Sequence, residues 1–215
     1  MWTPRVTQLD AILDDFFFSQ DYAYVLGAAR PADGSDKSIP GGQVVNLDVR
    51  RKVADLPLPG LPHLGSGISW SYQDRPVMAT PNLKEGVVSV IDMKDWKVIK
   101  EVKTVGPAFF MRSHENTPYA WVDAMMSKDK DTMQLLDKRT LEIAKTLRPE
   151  PGKTVAHTEL TRDGKFALVP VWEDDGVLVI YDAETLKEVK RLPMRKPVGK
   201  YNVYNKITRS EGTSH

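Results

Sequence analysis

The chain has 215 residues, no cysteine and a formal net charge of +1. This excludes disulfides, thiolate metal sites, thiol nucleophiles and covalent C-x-x-C-H haem attachment within it, and gives no global pull toward nucleic acid or an anionic membrane. Apolar residues make up 41% and charged ones 27%, enough for a packed core, and no apolar run of about 18 residues reaches the length of a spanning helix.

The opening stretch, MWTPRVTQLDAILDD, lacks the basic and apolar regions of an export signal. Residues 12–18 and 22–28 then read as β-branched and aromatic strands. The phrase GQVVNLDVRRKVADLPLP follows, an apolar run closed by Asp48, a charged turn and a second strand over 51–56. The same phrase returns as GVVSVIDMKDWKVIKEV, DTMQLLDKRTLEIAKTL and GVLVIYDAETLKEVKRLP. Its aspartates, Asp48, Asp92, Asp137 and Asp182, stand 44, 45 and 45 residues apart. A steady period in the low forties carried by strands is the mark of β-propeller blades.

The predicted fold is therefore all-β, with four blades of four antiparallel strands, A innermost to D outermost. The A strands fall at 12–18, 68–72, 109–112 and 155–161, and the B strands at 22–28, 76–79, 119–124 and 166–172. The C strands fall at 44–48, 87–92, 133–137 and 177–182, and the D strands at 51–56, 97–102, 141–147 and 186–192. Each closing aspartate is expected to accept amides of the C–D turn. Asp163-Gly164 reads as a tight A–B turn. A fifth A-like strand, 201–204, has no B, C or D strands after it, so residues 1–215 are expected to be an open half-ring whose remaining blades lie upstream.

Alternating strands put the D–A connections and the B–C loops on one rim. The D–A connections carry His63, Pro107, His157, Lys200 and Tyr201, and the B–C loops carry Arg30, Asn82, Met125, Met126 and Trp172. Two imidazoles, a phenol, a carboxamide, cations and apolar rings around one cavity suit a flat, partly apolar ligand with polar edges. Phe109 and Phe110 read as core packing, with one ring per strand able to face such a ligand. His114 falls in a different phase and reads as a turn residue. Glu159 is set aside as a partner for His157, on the alternation of strand side chains between faces. No P-loop, G-x-S-x-G or H-E-x-x-H occurs.

Several stretches resemble the C-terminal half of the haem d1-binding, eight-bladed propeller of the cytochrome cd1 nitrite reductase family and its relatives in haem d1 biosynthesis. They are Pro62-His63 with Gly65 and Gly67, Val77-Met78-Ala79-Thr80, residues 155–172, and Gly199-Lys200-Tyr201-Asn202-Val203-Tyr204-Asn205. The resemblance implies haem d1 or dihydro-haem d1 as ligand, with His63 as distal ligand of the haem iron. It also implies a periplasmic location, a c-type haem and further blades in the region preceding this segment, and an electron-accepting haem domain or protein as partner. No nucleic acid or membrane span is expected.

Two departures select within the family. Reductases of this type carry a second histidine in an Ala-Thr-Ser-His loop, where this chain has Ala79-Thr80-Pro81-Asn82, and Asn cannot shuttle a proton as imidazole does. His157 stands where the reductase has a non-titrating Gln. A His there, and the tail ending EGTSH, resemble the dihydro-haem d1 dehydrogenase branch, which oxidises a propionate to an acrylate. The expected roles are then His157 as base or side-chain contact with Tyr201 as its hydrogen-bond partner, and Asn82 as a pocket contact. Arg30 and Lys200 would meet carboxylates, and Phe110 and Trp172 would line the ligand. Nitrite reduction to nitric oxide and non-catalytic carriage of haem d1 are the alternatives.

Overall fold

The computed structural model describes residues 6–9, 11–30 and 41–199, and among them it contains four antiparallel four-stranded sheets and no α-helix. The first sheet comprises β1 (Ile12–Phe18), β2 (Tyr24–Arg30), β3 (Gly42–Asn46) and β4 (Arg51–Leu56). The second comprises β5 (Ile68–Tyr72), β6 (Arg75–Thr80), β7 (Val87–Asp92) and β8 (Lys97–Lys103). The third comprises β9 (Met111–Arg112), β10 (Tyr119–Asp123), β11 (Met133–Asp137) and β12 (Glu142–Leu147). The fourth comprises β13 (Glu159–Leu160), β14 (Phe166–Val171), β15 (Val177–Asp182) and β16 (Glu188–Pro193). Strands pair in chain order within every sheet, the up-and-down meander of a propeller blade.

Packing fixes the order of the blades. Val44, Leu56, Met78 and Ile91 share one buried cluster between blades 1 and 2. Val77, Val90, Met111 and Leu136 share one between blades 2 and 3, and Leu135, Trp121, Val169 and Val179 one between blades 3 and 4. The strands alternate or run continuously apolar because each sheet buries both faces against neighbours. Side chains also cross the seams: Trp70 Nε1 donates to the Lys138 carbonyl at 3.1 Å, and Thr117 Oγ1 to the Ala183 carbonyl at 3.0 Å.

The C–D turns obey one rule. Asp92 Oδ1 accepts the amides of Lys94 and Asp95, Asp137 Oδ1 that of Arg139, and Asp182 Oδ1 those of Glu184 and Thr185. Four residues after each, Trp96, Leu141 and Leu186 adopt φ between 51° and 57°, and a bulge shifts the register of every C–D pair. Left-handed backbone followed by a bulge closes a short hairpin while increasing its twist.

In blade 1 the same job belongs to Asn46, not Asp48. Asn46 Oδ1 accepts the amides of Asp48 and Val49, and Arg50, four residues after Asn46, has φ 55°. The expected role of Asp48 is thus corrected by two positions, because the carboxamide offers the same acceptor oxygen as a carboxylate. Asp163-Gly164 makes the expected turn, with Gly164 at φ 70° and its amide donating to the Thr161 carbonyl at 2.8 Å. The fifth A-like strand, 201–204, lies outside the described residues.

Candidate functional site

The loop between β4 and β5 presents His63 at the mouth of blade 2. Its amide donates to the Pro81 carbonyl at 2.9 Å, Pro62 bridges Asn82, and a 3₁₀ turn, Leu64–Ser66, follows at once. Gly65 donates its amide to Asp15 Oδ2 of β1 at 2.8 Å. A Cβ on Gly67 would stand 2.8 Å from the Leu64 carbonyl oxygen and 2.9 Å from Met78 Cε, so only glycine permits that approach.

His63 is half-buried, and its Nδ1 is hydrogen-bonded to the carbonyl oxygen of Phe109. A carbonyl can only accept, so neutral His63 carries its proton on Nδ1 and leaves the Nε2 lone pair available. A histidine fixed in this tautomer by a backbone carbonyl is prepared to ligate a metal through Nε2.

The rings continue from there. The His63 ring meets Phe109 edge-on at 4.4 Å between centroids and Phe110 at 5.9 Å. Phe110 meets His157 edge-on at 3.7 Å. The entrances of blades 2, 3 and 4 thus place the two imidazoles on one aromatic chain, with Phe110 between them. His157 is only 4% exposed and has φ 55°, an uncommon conformation for a residue with a Cβ and one that interrupts strand alternation. His114 sits in a turn, where Nδ1 accepts the Asn116 amide and Nε2 is hydrogen-bonded to the Arg162 carbonyl.

Asn82 requires a correction. Expected as a ligand contact, it is 2% exposed and turned into its own loop. Oδ1 accepts the amides of Leu61, Lys84 and Glu85 at 3.1, 2.9 and 2.8 Å, and Nδ2 donates to the Pro59 carbonyl at 2.6 Å. With its acceptor and one donor so engaged, Asn82 shapes the loop that holds His63. Trp172 lies one residue past β14, its amide on the Thr154 carbonyl at 2.8 Å and its side chain 44% exposed. Among the described residues no ring contact joins it to Phe110 or His157. Arg30 ends β2 without a described side chain, and Lys200 and Tyr201 lie outside the described residues. Gly199 precedes them directly, and its Cβ position lies 2.7 Å from the His157 carbonyl oxygen and 2.6 Å from Glu159 Cγ.

Three further polar residues belong to this rim and the inner strands beneath it. Arg112 of β9 and Glu159 of β13, both buried, form an ion pair at 3.1 Å between blades 3 and 4. Burial pushes the Glu159 carboxyl above its ordinary value against the pull of Arg112, and its Oε2 has no hydrogen-bond partner among the described residues. Glu159 and His157 are two residues apart, so alternation gave no ground for separating them, and the left-handed His157 removes the argument altogether.

The third is Asp123, at the end of β10 and 1% exposed. Its Oδ1 accepts the Phe109 amide at 2.9 Å and the Met125 amide at 3.3 Å, and its Oδ2 the Phe110 amide at 3.0 Å. The backbone amide of His157 also faces it. Burial pushes the carboxyl up to about 7, against the opposing effect of these amides. A folded value above the ordinary 3.8 means that the folded chain keeps a proton the unfolded chain releases. The resulting stability is full below about pH 4 and lost as pH rises through about 7, by at most about 4 kcal/mol at about 1.4 kcal/mol per unit. Urea unfolding of the parental protein and of Asp123→Asn across pH 4–8 is expected to show this fall in the parent and its absence in the variant.

The donor set fits a flat tetrapyrrole: one imidazole with Nε2 open, a second imidazole beyond an aromatic wall, and a buried cation–carboxylate pair with one oxygen unpartnered. Among the described residues no helix is long and apolar enough to cross a membrane, and no group of three potential metal-ligating side chains occurs.

Comparison with known proteins gives the same direction. The chain is 58% identical over 212 residues to the dihydro-heme d1 dehydrogenase of Pseudomonas aeruginosa, covering 99% of this chain and 42% of that protein. It is 30% identical over 152 residues to Protein NirF of the same organism, covering 71% of this chain and 37% of that one. The solved structure of dihydro-heme d1 dehydrogenase NirN in complex with DHE superposes with a TM-score of 0.88 at 55% identity, over 95% of this chain and 42% of that one. Hydrazine synthase of Kuenenia stuttgartiensis matches at a TM-score of 0.65 and 15% identity, over 93% of this chain and 54% of that one, which shows the fold alone. The chain therefore spans less than half the length of the curated relatives it matches. Residues 2–206 match the cytochrome D1 heme domain, and the chain belongs to that family.

Proposed function

We propose that this segment is the C-terminal, four-blade part of a haem d1-type propeller, and that the longer protein oxidises dihydro-haem d1 to haem d1 in the periplasm, within denitrification. The observation that carries the reading is the convergence of His63 and His157 on Phe110, together with 58% identity to a dihydro-heme d1 dehydrogenase. Converting a propionate to an acrylate removes two hydrogens from adjacent carbons, as two electrons and two protons, one proton passing to a base and the other to solvent. The iron of the tetrapyrrole, when bound, supplies a route for the two electrons to an acceptor.

The chain's own residues do the rest. His63 presents Nε2 to the iron, its tautomer set by the Phe109 carbonyl. His157 takes the proton from the side chain undergoing desaturation, which asks for an imidazole near its neutral form and within hydrogen-bond reach. Tyr201 follows Gly199 by two residues, a span of at most about 7 Å, which keeps it within chain reach of His157 as a hydrogen-bond partner. Arg30 and Lys200 are assigned to the ring carboxylates, for which a guanidinium or an ammonium is suited, and Phe110 and Trp172 to apolar lining. A c-type haem domain in the longer protein, or a separate haem protein, would accept the electrons.

Loading the full-length protein with haem d1 tests the assignment of the ligand. Visible bands that shift on binding and shift again in His63→Ala are expected; bands identical with and without protein would contradict it.

A further inference from the structure

We infer that Asp123 is a positioning residue that locks the two candidate histidines into one rigid unit, by gathering the amides of Phe109 and Phe110 on a single buried carboxyl that the backbone of His157 also faces. The contacts form a continuous chain. Asp123 Oδ1 holds the Phe109 amide, and the carbonyl of that residue is bound to His63 Nδ1. Oδ2 holds the Phe110 amide, and the ring of that residue packs edge-on against His157. The backbone amide of His157 also faces the Asp123 carboxyl, which brings the entrance of blade 4 against blade 3.

A left-handed residue with a Cβ persists only where its surroundings over-determine it, and the backbone amide of His157 faces the Asp123 carboxyl. A peptide amide at a buried site without an acceptor costs about 1–3 kcal/mol, so one carboxylate serving several amides makes them open together or not at all. The Phe109 and Phe110 amides point to Oδ1 and Oδ2 from consecutive residues, which also sets the direction of the Phe109 carbonyl toward His63. Asp123 touches neither ligand nor iron; it acts through the backbone. It also explains why β9 starts only at Met111: residues 109 and 110 donate to Asp123 instead of extending the A strand.

The functional consequence rests on the proposed roles of His63 and His157, whereas the chain of contacts itself is measurable without any tetrapyrrole. Hydrogen exchange resolved to single amides in the unloaded full-length protein is the test. Phe109, Phe110 and His157 are expected to share one protection factor within about threefold. Asp123→Asn, which places an NH₂ where an acceptor was, is expected to lower all three together by roughly 5–150-fold, the exchange equivalent of one lost buried acceptor. Asp131→Asn, in the same blade, removes the acceptor of the Gly152 amide and is expected to leave the three unchanged.

Loss of protection at Phe109 with His157 unmoved overturns the inference, as does an equal effect of Asp131→Asn. If Asp123→Asn does not fold, parental protection factors for Phe109 and His157 that differ by more than tenfold overturn it as well. In the loaded protein, Asp123→Asn is expected to shift the visible bands and slow conversion together. Collective loss of protection without a band shift supports the chain of contacts and counts against His63 as the iron ligand.

Discussion

Replacing His157 by alanine in the full-length protein is expected to slow formation of the acrylate by about 10²–10⁴-fold, the usual contribution of a positioned acid or base, with tetrapyrrole binding changed only a few-fold. The expectation follows from what the ring does and does not touch. His157 is separated from His63 by Phe110, so its removal leaves the proposed iron ligand and the Phe109 carbonyl in place. Alanine at φ 55° carries some backbone strain, so His157→Asn is the better-behaved companion, since Asn enters the left-handed region readily. Both variants lack a neutral-pH base and should fall together in single-turnover conversion. A parental rate in either one removes His157 from the chemistry.

The second large effect belongs to His63. Its alanine variant is expected to move the visible bands of bound haem d1 and to weaken binding by at least the 10–100-fold that loss of a ligand's supporting partner costs. Free imidazole should restore the bands, because the cavity left by the ring opens onto the half-buried mouth of blade 2. Bands unchanged by the substitution would show that the iron takes its distal ligand elsewhere. Asn82→Ala offers a contrast: it removes the acceptor of three loop amides and is expected to disturb the bands only through movement of His63. Asn82→His, for the same reason, would disturb the loop before it could supply a proton.

The blade repeat was legible because each C–D hairpin needs an acceptor for its turn amides, and that need recurs at Asp92, Asp137 and Asp182. Blade 1 departs by two residues because Asn46 supplies the same oxygen, so a pattern defined by aspartate alone points to Asp48. The shared rim of His63 and His157 was legible too, since strand direction alone dictates which loops converge. Asn82 was not: a polar residue in a loop looks the same whether it faces a ligand or its own backbone, and four hydrogen bonds within 59–85 decide the matter.

Asp123 left the faintest trace, a carboxylate closing the apolar run Tyr119–Asp123. Aspartates at strand ends are common in turns, and nothing local reveals that this one accepts the amides of Phe109 and Phe110 from the connection before β9. Glu159 lies two residues from His157, so strand parity puts the two on one face and offers no reason to set Glu159 aside. Residues that act through long-range backbone contacts carry no local period, which is why they emerge only from the folded chain.

Whether this rim serves the desaturation of a tetrapyrrole side chain is read by incubating full-length protein with dihydro-haem d1 and an electron acceptor, and following the tetrapyrrole by mass spectrometry. Loss of two hydrogens, with one two-electron equivalent of acceptor reduced and the reaction abolished to background in His157→Ala, is the result expected. Tight binding of dihydro-haem d1 with its mass unchanged through many equivalents of acceptor would contradict it, and would make the propeller a carrier.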